Sequence, residues 1–76
     1  MTTIFVPSSM PENKYLKVNK DRQRLFNVKE GVNWFVRFGD DLPHEIPPGT
    51  WFLVNKEETF SLIPGLNTLK MEIFTY

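Results

Sequence analysis

The sequence contains no cysteine and no alanine, and it has a single histidine. Without cysteine, neither a disulfide nor a thiolate metal site is available to stabilise a small fold. Alanine is the strongest helix former, and its absence together with six prolines leaves little room for a long helix. The runs between the prolines are rich in Phe, Val, Ile, Thr and Trp, which favour strands. The chain is therefore expected to be all-β.

Long apolar runs are also missing. No stretch approaches the roughly 18 residues that a membrane span needs. The first residues lack the basic segment and long apolar stretch of a secretory signal. We therefore expect no membrane span, and a location in the cytoplasm or in a particle assembled there.

The charge is balanced overall but uneven along the chain. Residues 1–38 hold seven Lys and Arg against three acidic residues, whereas residues 39–76 hold two Lys against six. A net charge of zero gives no general attraction to nucleic acid or anionic lipid. Either the asymmetry is chance in a short chain, or it orients neighbouring copies or a charged partner.

A chain of 76 residues forms one domain at most. We divide it into an N-terminal arm with a first short strand (1–13) and a single small β domain (14–76). Short β-prone runs separated by turn residues predict roughly five to seven strands. The natural closure of such strands is a small antiparallel sandwich or barrel.

Three turn patterns suggest how the strands connect. The Lys-Glu-Gly sequence at 29–31 predicts a hairpin between 24–28 and 32–38, with a bulge and a positive φ at Gly31. Residues 55–58 predict a second hairpin, and Pro64–Gly65 predicts a type II turn with a positive φ at the glycine.

Alternation of apolar and polar residues separates a core face from an outer face in two runs. The expected core faces are Val32, Trp34, Val36 and Phe38 in the first run, and Leu69, Met71 and Ile73 in the last. Residues 50–54 do not alternate, which is typical of a strand covered on both faces. Trp34 and Trp51 are accordingly expected to anchor the core.

The opposite faces carry aromatic residues that are candidates for a protein interface. Phe35, Phe74 and Tyr76 point outward if the core faces are as predicted, and the N-terminal arm adds Ile4 and Phe5. Exposed aromatic clusters typically mark an interface. The alternative is a core of two layers that buries both faces.

The segment 14–24 is basic and is the candidate nucleic-acid site. Basic side chains neutralise phosphates and an interleaved aromatic ring can stack on a base, as in small single-strand-binding barrels. The candidate residues are Lys14, Tyr15, Lys17, Lys20, Arg22 and Arg24. Asp21 interrupts the run, and binders are usually basic overall, so this function is kept as an alternative.

The loop 39–49 carries Asp40, Asp41, His44 and Glu45 and is the candidate site for a metal or for acid–base chemistry. All four residues lie on one proline-rich loop, whereas metal ligands usually converge from several elements. No nucleophile or phosphate-binding motif accompanies them. We therefore favour a solvated loop and expect no enzyme activity and no cofactor, with a metal-dependent hydrolase as the alternative.

Residues 61–74, SLIPGLNTLKMEIF, resemble the closing turn and strand of β-sandwich modules in bacteriophage tails and capsids. The matching positions are Pro64, Gly65, Asn67, Thr68 and Leu69. The resemblance implies a structural or accessory role, such as a capsid cement or decoration protein or a tail protein, and a location in the virion or the host cytoplasm. We expect a non-enzymatic module that binds copies of itself or other virion proteins. A phage-encoded inhibitor of a host protein belongs to the same class.

Overall fold

The computed structural model describes residues 1–11, 15–17 and 21–76, and of 15–17 it describes the backbone only. Seven strands have three or more residues and one, β5, has two. They are β1 (Thr2–Val6), β2 (Tyr15–Lys17), β3 (Arg24–Glu30), β4 (Phe35–Phe38), β5 (His44–Glu45), β6 (Trp51–Val54), β7 (Thr59–Ile63) and β8 (Leu69–Thr75). The all-β class is confirmed. Within the described ranges there is no helix able to cross a membrane.

The strands form two four-stranded antiparallel sheets. Sheet A has the order β1-β8-β3-β6, and sheet B has the order β2-β7-β4-β5. The two sheets pack face to face around the core, so the expected small antiparallel sandwich is the architecture found. The first and last strands of the sequence are neighbours, because β1 pairs with β8 from Thr2↔Ile73 to Val6↔Leu69.

The core consists of the inward faces of both sheets. Leu69 and Met71 are fully buried and Ile73 packs beside them, which confirms the predicted inner face of β8. Trp34 and Val36 are buried as predicted, and Phe38 packs against them, but Val32 is 46% exposed. Val32 was wrongly placed because Asn33, with a φ of 58°, interrupts the extended backbone before the strand begins at Phe35.

Phenylalanine rings join the two sheets across the core. Phe26 of β3 stacks on Phe52 of β6, with ring centroids 4.9 Å apart. Phe60, from sheet B, makes an edge-to-face contact with Phe26, with ring centroids 5.4 Å apart. Phe38 lies 6.1 Å from Phe52 in a similar edge-to-face contact. Such pairs add about 0.5–1.5 kcal/mol each beyond the area they bury.

Both predicted hairpins are wrong. β3 pairs with β6 and β8, whereas β4 pairs with β5 and β7, so the chain changes sheets between β3 and β4. It changes sheets again between β6 and β7. Gly31 does have a positive φ, 149°, but it serves a crossing and not a hairpin. A Cβ at Gly31 would lie 2.9 Å from Leu69 Cδ1, so the glycine also provides space.

Residues 31–34 and 64–67 are held together where the chain crosses between the sheets. The Val32 amide donates to Asn67 Oδ1 at 2.8 Å, and the Leu66 amide donates to the Val32 carbonyl oxygen at 2.8 Å. The Trp34 indole Nε1–H donates to the Asn67 carbonyl oxygen at 2.7 Å. The predicted type II turn is wrong, because the φ of Gly65 lies outside the left-handed region. Gly65 is required for close approach of the backbone and not for turn geometry.

The acidic loop is divided into two parts. Residues 39–43 form the tip of the hairpin between β4 and β5, closed by the Asp41 amide donating to the Phe38 carbonyl oxygen at 3.0 Å. Residues 46–50 then carry the chain to sheet A. Ile46 is 2% exposed, and its amide donates to the Trp34 carbonyl oxygen at 2.9 Å. Ile46 is therefore a core residue. The proline-rich sequence around it gave no periodic pattern that would indicate its burial.

Candidate protein interface

The outer face of sheet A presents a cluster of apolar side chains near the β6 edge. Leu25 in β3 lies opposite Leu53 in β6 on one side and opposite Phe74 in β8 on the other. Directly opposed residues in antiparallel strands point to the same face. Trp51, two residues before Leu53, therefore points outward as well. We call these four residues, Leu25, Trp51, Leu53 and Phe74, the Trp51 face.

Two members of the Trp51 face are well exposed, and its two aromatic rings hold each other in place. Trp51 is 55% exposed and Leu53 is 46% exposed. The Trp51 and Phe74 rings stack with centroids 5.8 Å apart and an interplanar angle of 28°. They flank Asn27, which points outward yet is only 3% exposed. Its Nδ2 donates to the Thr50 carbonyl oxygen at 3.4 Å, so the polar group beneath the rings is paired.

Polar contacts border the Trp51 face on two sides. Gln23 Nε2 donates to Asn55 Oδ1 at 2.9 Å at one end. Lys29 and Glu72 form an ion pair of 3.4 Å on another side. An apolar centre with a polar border is the usual composition of a protein–protein contact surface.

Trp51 was expected to anchor the core, and this prediction is wrong. β6 is the edge strand of sheet A, and only its Phe52 and Val54 side chains point into the core. The unbroken apolar run at 50–54 indicated a strand covered on both faces. The described residues of the chain cover one face only.

Two of the five predicted interface residues lie at or beside the Trp51 face. Phe74 is half-buried and belongs to it. Tyr76 is 67% exposed, and its amide donates to the Gln23 carbonyl oxygen at 3.0 Å, which places it at the polar end.

The other three predicted interface residues lie elsewhere, so the set does not form one surface. Phe5 is 65% exposed on β1, with Lys70 Nζ 5.8 Å from its ring centroid. Ile4 packs inward against the core. Phe35 is on β4 of sheet B, opposite Glu45 and Ile63. Period-2 alternation identified outward faces but could not tell which sheet each strand joins.

Most of the candidate nucleic-acid segment lies outside the described residues. This applies to Lys14 and Lys20, and to the side chains of Tyr15 and Lys17. Arg22 is exposed, whereas Arg24 is half-buried in β3 with its Nε shielded from solvent. Nucleic-acid binding through this segment stays a prediction. A salt-dependent affinity for single strands that is lost in Lys17→Glu/Arg22→Glu and kept in Phe74→Ala would support it.

The four titratable residues of the acidic loop, Asp40, Asp41, His44 and Glu45, are all exposed. Across the described ranges, no group of three or more His, Asp or Glu side chains is placed to hold a metal ion. We expect Mg²⁺, Mn²⁺, Zn²⁺ and Ca²⁺ to leave the melting temperature unchanged, because a ligand stabilises only the state that binds it. Differential scanning fluorimetry with each ion checks this. A rise that Asp40→Asn/Asp41→Asn removes would favour the metal-dependent hydrolase instead.

Comparison of the chain with protein-family models, with curated proteins and with solved structures gave no match. The class of the protein is defined by its own fold and exposed face. It is a small all-β sandwich with an apolar outer face beside one sheet edge.

Proposed function

We propose that the protein is a non-enzymatic protein-binding module, and that the Trp51 face is its binding surface. The observation that carries the proposal is the contiguous exposure of Trp51 and Leu53 on the outside of a packed sheet. A sheet with one face in water normally carries polar residues on that face. Large apolar side chains in their place usually mark a contact site.

The pattern of β6 supports a partner that covers the outer face. Its sequence, Trp-Phe-Leu-Val, is apolar on both sides, as in strands that are buried on both faces. The core covers the Phe52 side. A partner protein bound to the Trp51 face would bury the other side of β6.

The chemistry of the Trp51 face suits a protein more than a small ligand. Tryptophan is enriched among the residues that dominate binding energy, and such residues lie near the centre of a contact. The face is part of a sheet surface and not a concave cleft, which small-molecule sites usually require. The exposed apolar residues Leu42 and Leu66, 80% and 73% exposed, lie in loops and not on the outer face of a sheet.

The setting we propose is a bacteriophage virion, in which the module is a structural or accessory component. This narrower proposal is supported by the resemblance of residues 61–74 to the closing strands of phage sandwich modules. Contacts with copies of itself and with other virion proteins are both included. An inhibitor of a host protein would use the same surface and the same chemistry.

Photo-crosslinking tests the surface. We expect p-benzoylphenylalanine at Trp51 or Leu53 to give discrete cross-linked products in the cells that naturally make the protein. We expect none from the matched exposed positions Leu42 and Leu66. Equal products from the loop positions, or none from Trp51 and Leu53, would contradict the proposal.

Once a cross-linked partner is purified, Trp51→Ala is expected to weaken its binding by about 30-fold or more. That factor corresponds to the roughly 2 kcal/mol loss that defines a dominant contact residue. Isothermal titration calorimetry provides the measurement, and Leu42→Ala is the control. A change of less than about threefold for Trp51→Ala would place the binding energy elsewhere.

A further inference from the structure

The four sheet edges differ in how they are protected against pairing with another chain. Exposed edges are normally protected by charges, prolines, bulges or very short strands. β5 has two residues and is flanked by Pro43 and Pro47, and β2 contains Lys17. β1 and β6 contain neither a charged residue nor a proline. The two unprotected edges are thus the two edges of sheet A.

The free backbone groups of β6 follow from its pairing with β3. The Val28 amide donates to the Thr50 carbonyl oxygen at 2.9 Å. In an antiparallel pair, residues that bond to the neighbouring strand alternate with residues whose groups point away. Phe52 and Val54 therefore bond to β3, while the amide and carbonyl groups of Trp51 and Leu53 point to the open edge.

The backbone groups of Asn55, the next residue that points to the open edge, are already hydrogen-bonded. Its amide donates to Glu58 Oε1 at 2.9 Å, and its carbonyl oxygen accepts from the Glu58 amide at 3.2 Å. The β6 edge thus has backbone groups available for pairing at two residues, Trp51 and Leu53, which lie on either side of Phe52.

We propose that two copies of the protein join through this edge. The two β6 strands run antiparallel around a two-fold axis at Phe52, so that Trp51 of each copy lies opposite Leu53 of the other. Each such pair exchanges two N–H···O bonds, giving about four between the copies. The two copies of sheet A, each four-stranded, become one continuous sheet.

The side chains near the axis are complementary to their own copies. Residues 50–55 include no charged side chain, so no like charges are brought together. On the outer face, the Trp51 ring of one copy lies beside Leu53 of the other. On the inner face, Phe52 meets its counterpart and covers a ring that is half-buried in the single chain. A contact of this kind, in which the same patch serves both partners, is the usual basis of a two-fold dimer.

The β1 edge is less suited to self-pairing. Its outward residues are Thr3 and Phe5, and the neighbouring β8 places Glu72 and Lys70 opposite them. A second copy docked there would meet a charged surface. At β6, in contrast, the apolar Trp51 face continues from one copy into the other.

The dimer goes beyond the proposed function, since it joins two copies through the backbone of the β6 edge and not through the outer face of the sheet, and it places two Trp51 faces side by side. Hydrogen exchange measured by NMR tests it residue by residue. We expect the amides of Trp51 and Leu53 to become protected as the concentration rises from about 1 µM to about 1 mM, a range that brackets weak association. The amides of Phe52 and Val54 should be protected throughout, because they bond within the chain. Fast exchange at Trp51 and Leu53 at every concentration would overturn the proposal.

Blocking the edge should abolish the dimer and leave the fold intact. Proline is tolerated on an edge strand where the missing N–H faces solvent, so Leu53→Pro should yield the monomer mass by light scattering. Leu53→Ala keeps the N–H and should still dimerise. N-methylleucine at position 53, introduced by chemical synthesis, blocks the same group with the side chain retained if the proline variant does not fold. A mass that stays dimeric in the N-methyl protein, or one that keeps growing with wild-type concentration, would overturn the two-fold pairing.

The same experiments separate this inference from the proposed function. Phe74→Ser alters the Trp51 face but not the β6 edge, so the dimer mass should persist while the cross-linked partner products are lost. A monomeric wild-type protein that still gives those products would overturn the dimer alone.

Discussion

Gly65→Ala is expected to unfold the protein or to leave it barely stable. A Cβ at Gly65 would lie 2.0 Å from the Val32 carbonyl oxygen and 2.5 Å from Trp34 Cδ1. The Val32 oxygen is a backbone atom that accepts a hydrogen bond from the Leu66 amide, so it cannot move aside without losing that bond. We expect a loss of about 3 kcal/mol or more, at the upper end for overpacking.

That loss is large against a total stability of about 4–11 kcal/mol for 76 residues. Guanidinium denaturation followed by circular dichroism gives the free energy of unfolding. Gly39→Ala is the matched control: Gly39 has a φ of 55°, but no atom lies within 4 Å of its added Cβ. The cost at Gly39 is therefore conformational only, about 1–2 kcal/mol. Equal losses at the two glycines would show that the clash at Gly65 relaxes.

Trp34→Ala is expected to cost about 3–5 kcal/mol, the usual range for a large aromatic residue removed from a core. Trp34 is 0% exposed, and its indole N–H donates to the Asn67 carbonyl oxygen. The substitution therefore leaves a cavity and removes the bond that ties residues 31–34 to residues 64–67. The expected loss is between about a quarter and all of the total stability given above.

Two companion variants separate the contributions at Trp34. Trp34→Phe keeps most of the apolar volume and removes the indole N–H, so we expect an intermediate loss. Trp51→Ala removes the same residue type from the surface, and we expect no more than about 1 kcal/mol. Thermal and guanidinium unfolding of the three variants provide the comparison. If Trp51→Ala were the more damaging change, the assignment of Trp34 as the core tryptophan would be wrong.

The inward faces could be predicted from the sequence because alternation reports the environment of each residue. Leu69 and Met71 were placed correctly on this basis, as were Trp34 and Val36. Ile46 was missed because a single apolar residue among prolines shows no period. A period of two shows which side chains of a strand point inward. Which strand it pairs with depends on contacts between distant parts of the chain.

The strand pairing could not be predicted from the sequence for the same reason. The Lys-Glu-Gly sequence at 29–31 suits a hairpin, and nothing local indicates that the chain crosses to the other sheet instead. Gly65 was interpreted as a turn glycine because the atoms that require it belong to residues 32–34. The run at 50–54 was interpreted as a strand covered on both faces, because both of its faces are apolar. It could not distinguish a face covered by the core from one available to a partner.

The position of β8 in the middle of sheet A has a consequence for protein synthesis. This strand is the last of the eight in the sequence, yet it lies between β1 and β3 and pairs with both. While the ribosome is still making residues 69–75, β1 lacks the strand it pairs with and β3 can pair only with β6. Sheet A is therefore complete only after β8 has been made, and its last step is a pairing between distant segments, which forms slowly. Until then the aromatic residues of the nascent chain are exposed. At this stage the chain is most susceptible to aggregation and proteolysis.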